Sequence, residues 1–217
     1  SFQQPKPYLQ TKLPLGNNYF CGRDIELQEI HTLLQQEKFL LLHGVGGIGK
    51  TELAKHYAMT YAEEYDAVVF VRFLDSIENT ILSDTNFPIV HCTRSDGESD
   101  VAYLERKLQV LRQICTPRHL ILLDNFDTGD CENLDFLTEL PCPILVTSRV
   151  DYDGIFPQYE VDILSDESAL YQMMAYYTKR EPDLYTDAIL KALNGHTMAV
   201  ELVAKQMALH QLTSREM

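Results

Sequence analysis

The chain has 217 residues, is 45% hydrophobic and 23% charged, and carries a formal net charge of −14. That length suits one large domain, or an α/β domain with a small helical appendage. The acidic balance argues against a basic nucleic-acid-binding surface on this chain. No apolar run approaches the roughly 18 residues needed to cross a membrane, so neither nucleic acid nor a membrane is expected as a partner.

Residues 1–19, broken by Pro5, Pro7, Pro14 and Gly16, have no periodicity and read as a linker. The first segment, SFQQPKPYLQ, is polar and unlike a signal peptide, and the chain is expected to be a piece of something longer. From Asp24, a natural N-cap, Ile25, Ile30, Leu33 and Leu34 fall near helical spacing. KFLLLHG is a short buried strand ending in glycine, and TELAKHYAMTYAEEY a helix. AVVFVRF, from Ala67 to Phe73, is a second strand. From Asp75 to Asp100 the pattern is weak, with a possible short element near PIVHC. VAYLERKLQVLRQIC is helical, with Leu104, Leu108 and Leu111 on one face. HLILLD is the third strand, NLDFLTEL a short helix and CPILVTSR the fourth strand. Strands that are apolar throughout and alternate with helices predict a parallel sheet covered on both faces. After Asp166 the strands cease, and SDESALYQMMAYY, PDLYTDAILKAL and TMAVELVAKQMAL are three helical patterns in succession.

Gly44-Val45-Gly46-Gly47-Ile48-Gly49-Lys50-Thr51 matches G-x-x-x-x-G-K-[ST], with an apolar strand leading in and a helix leading out. Such glycines let the backbone wrap with its N–H groups pointing inward toward phosphate oxygens, and the helix N-terminus adds partial positive charge. Lys50 is expected on the β- and γ-phosphates, the Thr51 hydroxyl on Mg²⁺, and Glu52 next to them in the binding set. Asp124 ends the third strand, at the sheet edge where open α/β sheets bind ligands, and is the expected second holder of Mg²⁺. Asn125 follows it; its amide can orient a water but cannot take its proton. Asp127 is either a substitute base or a solvated loop acid. Arg149 ends the fourth strand, placed either to report a γ-phosphate or to cap a surface turn. The fold class is therefore an α/β P-loop NTPase with a parallel sheet of about five strands, followed by a small helical domain. The expected division is a linker over 1–19, a P-loop domain over 20–160 and a helical lid over 161–217.

Other residues have plainer readings. His43 is a core histidine before the loop, Met173, Met174, Met198 and Met207 fill a core, and Tyr171, Tyr176, Tyr177 and Tyr185 pack helices. The five cysteines, Cys21, Cys92, Cys115, Cys131 and Cys142, form no C-x-x-C pair, which fits reduced thiols in a cytoplasm.

The order Phe20-Cys21-Gly22-Arg23-Asp24, GVGGIGKT, LILLDNFD, PILVTSR and NGHTMAVELVA resembles the STAND class of signal-transduction ATPases, in its NB-ARC branch. The resemblance covers residues 19–209. It implies that Phe20, Cys21 and Gly22 lie against adenine, with Arg23 near the phosphates, and that Arg149 senses the γ-phosphate. It implies that the stretch from Gly195 packs on the base, with Thr197 standing where the family has proline and Met198 filling the gap. It further implies flanking sensor and effector domains and self-association in the ATP state. The expected function is an ATP/ADP switch with slow hydrolysis. The alternatives are a nucleotide-stabilised scaffold and an AAA-like ATPase acting on nucleic acid through other domains.

Overall fold

Four β-segments of this chain place apolar side chains on both faces, and burial on both faces is what a sheet between two helical layers demands. In the computed structural model, which describes residues 5–17, 19–128 and 134–216, they are β2 (Phe39–His43), β3 (Ala67–Arg72), β5 (His119–Asp124) and β6 (Ile144–Thr147). The short β7 (Gln158–Glu160) joins them in one parallel sheet of order β3-β5-β6-β2-β7. The expected parallel sheet of five strands is thus present, but its fifth member was not legible. Gln-Tyr-Glu is neither apolar nor long, and it becomes a strand by pairing with Leu41 to His43.

Side chains alternate between the two faces. Leu40, Leu42, Val68, Leu120, Leu122 and Leu145 pack with Ile30 and Leu34 of α1 (Asp24–Glu37) and with Leu53 and Tyr57 of α2 (Lys50–Thr60). Leu41, Val69, Val71, Ile121, Leu123 and Val146 pack with α3 (Ile77–Leu82), α4 (Asp100–Ile114) and α5 (Leu134–Thr138). Each fully buried Leu, Ile or Val contributes roughly 1.5–3 kcal/mol relative to exposure. A third core is separate from these. Leu170, Met173 and Met174 of α6 (Glu167–Thr178), Leu190 of α7 (Thr186–Leu193) and Val200, Ala204 and Met207 of α8 (Thr197–His210) bury one another.

Several expectations need correcting. Asp24 is the first helical residue of α1; the capping position is Arg23, which makes no side-chain capping bond. Its carboxylate still sits in the first turn, where the helix dipole favours it. Part of the stretch read as a linker is laid onto the body. Tyr8–Leu9, as β1, pairs with β4 (Ile89–Val90), and Lys12 bridges Val69. Met198 is 48% exposed and Tyr185 46% exposed, so neither fills the core. Cys131 lies outside the described residues.

Candidate functional site

The C-terminal ends of β2, β5 and β6 converge on one edge of the sheet. β2 runs into the glycine loop, and α2 leaves it at Lys50, with Gly49 at the capping position in a left-handed conformation (φ 103°). β6 stands between β2 and β5, so the residue that ends it, Thr147, falls between the loop and Asp124. Its hydroxyl donates to Asp124 Oδ1 at 2.7 Å, and the Thr51 hydroxyl donates to the same oxygen at 2.6 Å. Asp124 is buried, and its other oxygen, Oδ2, has no hydrogen-bond partner among the described residues. A carboxylate oxygen left bare in a buried position is costly unless something else meets it. A hard cation with oxygen ligands, held by Thr51 and Asp124, fits that donor set. Among the described residues no cluster of three or more metal-binding side chains is found, as is ordinary where phosphate oxygens and water complete the shell.

Lys50 turns its ammonium back onto the loop, donating to the carbonyls of Gly44 at 2.7 Å and Val45 at 2.8 Å. Burial pushes the Lys50 amine below its ordinary range; Asp127 and Asp124 pull it back up and Arg149 adds to the lowering. The side chain is thus held at the mouth of the loop among charges that respond to a polyphosphate.

A cavity of about 610 Å³ opens over this edge, a size usual for a small-molecule site. Gly46, Gly47, Ile48, Gly49, Lys50, Thr51 and Glu52 line it, with Asn125 and Arg149 at one end. Tyr19, Phe20, Cys21, Arg23, Leu164 and Met173 line it further along, and Thr197, Met198 and Glu201 close it from the helical side. Gly44 and Val45 are in the loop itself but not on the cavity wall; Val45 points outward and is 70% exposed. Asp127 is also off the wall, and its carboxylate is paired with Arg149.

Phe20 lies flat on His56 of α2, with ring centroids 3.9 Å apart and planes at 11°. Gly22 has φ 71°, and a Cβ there would stand 2.6 Å from the Cβ of Ala169, so only glycine lets this segment pass under α6. Arg23 is 4% exposed and bonded to Glu26, to the carbonyl of Ile48 and to the carbonyl of Asp162. It ties the glycine loop to the segment leading into the lid, from a place on the cavity wall.

The helical lid touches the loop directly. His196 Nε2 is 3.0 Å from the carbonyl of Gly46, and its Nδ1 accepts the N–H of Ala199 as the cap of α8. One nitrogen accepting leaves the other to donate, so Nε2 carries the hydrogen. The Met198 N–H and the Thr197 hydroxyl both donate to the carbonyl of Gly47, at 3.3 Å each. Thr147, His196, Tyr19 and Glu201 were not read as site residues. Thr147 and His196 lie inside quoted motifs, where their place at a strand end and before a helix was the available signal.

Comparison with known proteins agrees with this geometry. The family model described as Novel STAND NTPase 3 matches residues 24–91, from α1 through the glycine loop to the residue after β4. Among solved structures, the chain is similar to a Walker-type ATPase of Pyrococcus abyssi, with 14% identity and a TM-score of 0.62 over 96% of this chain and 72% of that one. It is similar to AMPPCP-bound DnaA from Aquifex aeolicus, with 13% identity and a TM-score of 0.60 over 91% of this chain and 65% of that one. RuvB of Thermotoga maritima matches with 16% identity and a TM-score of 0.54, over 94% of this chain and 69% of that one. The chain thus spans about two thirds of the length of these structures. No curated protein matches it in sequence. With a phosphate-binding loop inside the matched stretch, and a five-stranded parallel sheet carrying it, the chain has the fold of a P-loop NTPase, and its residues 24–91 are similar to the STAND NTPases.

Proposed function

We propose that the chain is an ATP/ADP switch of the NB-ARC kind, in which slow hydrolysis resets the lid and the ATP-bound form self-associates. The observation that carries this reading is the bonding of His196, Thr197 and Met198 to the carbonyls of Gly46 and Gly47. The faces of the loop are divided. The carbonyls of Gly44 and Val45 hold Lys50, while those of Gly46 and Gly47 hold the start of α8. A ligand that reshapes the loop would therefore act on the lid without an intermediary, which is the route a two-state switch needs.

The residues divide the work accordingly. Lys50 and the loop amides bind the phosphates. Thr51 and Asp124 would hold Mg²⁺, which when bound neutralises and bridges the β- and γ-phosphate oxygens. Phe20, Cys21 and Met198 would enclose the base. Asn125 lines the cavity where an acid would be needed to take a proton from water, which supports slow turnover. A domain boundary near 160 fits the separate core of α6, α7 and α8. A cytoplasmic setting fits the described cysteines, which are free thiols.

Lys50→Ala is expected to abolish ATP and ADP binding in calorimetry, and retained binding would remove the P-loop from the account. Small-angle scattering and sedimentation of the wild type with ADP and with a non-hydrolysable ATP analogue are expected to differ in shape or mass. Identical profiles with both nucleotides bound would favour a scaffold, since a ligand of equal affinity for two states shifts nothing. Turnover above roughly 10 s⁻¹, the median for enzymes, would argue for a motor.

A further inference from the structure

We propose that Asp127 is a positioning residue for Arg149, setting its guanidinium over the phosphate loop, and is not the base that takes a proton from water. The proposal rests on the nucleotide-switch reading above. Asp127 Oδ1 accepts the backbone N–H of Arg149 at 2.6 Å, and Oδ2 accepts its Nε–H at 2.7 Å. The carboxylate is engaged through both oxygens, at two points that fix the arginine's main chain and the root of its guanidinium together. Asp127 does not line the cavity, whereas Arg149 does. Beyond its charge at Lys50, Asp127 therefore reaches a bound nucleotide through Arg149.

The pairing leaves the useful part of the arginine open. A guanidinium offers five N–H donors in a rigid fork. Nε is held by Asp127, and among the described residues neither Nη nitrogen has a hydrogen-bond partner. Arg149 Cδ and Nη1 lie 3.5 and 4.0 Å from where a Cβ on Gly46 would stand. The fork therefore stands over the glycine loop.

The backbone around this pair is already fixed. The Phe126 N–H donates to the Thr147 carbonyl at 2.8 Å, the Ser148 hydroxyl to the Phe126 carbonyl at 2.5 Å, and the Asn125 N–H to the Thr147 hydroxyl at 3.0 Å. The loops after β5 and β6 thus form one unit. That unit holds the Cα of Arg149 but not its side chain, which is 66% exposed. Without Asp127 a long exposed arginine samples many rotamers and must be ordered on each binding event. With it, the fork is preorganised. An exposed ion pair adds little to folding, so the consequence falls on ligand discrimination.

The test compares affinities for ADP and for a non-hydrolysable ATP analogue, each with Mg²⁺, by calorimetry. The proteins are wild type, Arg149→Ala, Asp127→Ala, Asp127→Asn and the Asp127→Ala/Arg149→Ala double variant. Arg149→Ala is expected to cut the triphosphate preference by about tenfold, as loss of one charge-assisted contact does. Asp127→Ala is expected to lose a comparable part, with ADP affinity and melting temperature nearly unchanged. The double variant should fall no further than Arg149→Ala, because one residue acts through the other. Asp127→Asn, which keeps the shape and one acceptor, should fall between. A preference shifted by Arg149→Ala but untouched by Asp127→Ala and Asp127→Asn would overturn the proposal and leave the sensor role of Arg149 standing. A preference unmoved in every variant, with ADP still bound, would overturn both. An intact preference with turnover reduced a hundredfold or more in Asp127→Asn would make Asp127 the base after all.

Discussion

Asn125 shows how backbone and chemistry meet at one residue. It sits just past Asp124 with φ 61°, in the left-handed region, and its N–H is held by the Thr147 hydroxyl. Asn and Asp are the side-chain-bearing residues that enter this region most readily. Asn125→Asp is therefore expected to fold normally and to place a carboxylate on the cavity wall. Phosphate release should rise, by tenfold or more if the acid reaches the attacking water; unchanged turnover would show that position 125 does not reach it. His56 lies beneath Phe20 with a buried Nε2 that has no partner among the described residues. Burial lowers its pKa below the ordinary 6.5, against the pull of Glu52. The fold thus favours the neutral ring. Above pH 6.5 the contribution is fully present. As the pH falls below 6.5 the unfolded chain takes up the proton first, and stability is lost down through the folded-state value. Melting temperature should decline below pH 6.5, and His56→Phe should remove part of that slope. His119, also lowered by burial, contributes with the same sign, so the part due to His56 is the difference between the two profiles.

At the scale of elements, α8 begins at Thr197, the first helical position, where proline is well tolerated. His196 before it has φ −74° and ψ 98°, already in the extended region a residue preceding proline prefers. Thr197→Pro should therefore fold, with stability changed by about 1 kcal/mol or less. The missing hydroxyl bond to Gly47 offsets part of any gain. Its effect on nucleotide affinity, read by calorimetry, reports whether the base packs on this turn; unchanged affinity would place the base elsewhere. The helices and buried strands were legible because their periodicity is local. The stretch from 75 to 100 was not. α3 and β4 there are short, and the end of α3 and the turn that follows it are held by Lys107, a fully buried lysine of α4. Its ammonium donates to the carbonyl of Ile81 at 2.6 Å, to Asp84 at 2.7 Å and to the carbonyl of Phe87 at 3.2 Å. A lysine on a helix reads as solvent-facing; only its three acceptors, distant in sequence, reverse that.

At the scale of the molecule, a body of net charge −14 can meet an anion at this edge because cations are gathered there, while the acids beside them, Asp124 and Asp127, are engaged by hydroxyls and by Arg149. Lys50, Arg149 and the start of α2 act within a few ångströms, while remote carboxylates are screened over about 8–10 Å at physiological salt. The same argument gives a negative expectation for duplex DNA, whose phosphates would meet the whole acidic surface. Fluorescence anisotropy at about 0.15 M salt should show no binding of a labelled duplex at micromolar protein. Salt-dependent binding there would revive the nucleic-acid reading, which the fold likeness to DnaA and RuvB does not by itself carry.

The glycine loop with its lysine, the strand-terminal aspartate and the parallel α/β architecture were determined by the sequence alone. Each is set by residue types at fixed short spacing, and spacing is what a linear chain records. The tertiary structure decided the rest. It set Thr147 beside Asp124, gave Asp127 to Arg149, bonded Arg23 to the carbonyls of Ile48 and Asp162 and set His196 on the loop carbonyls. Those are hydrogen bonds between residues far apart in the chain, and their partners are chosen by which strand ends the sheet order brings together.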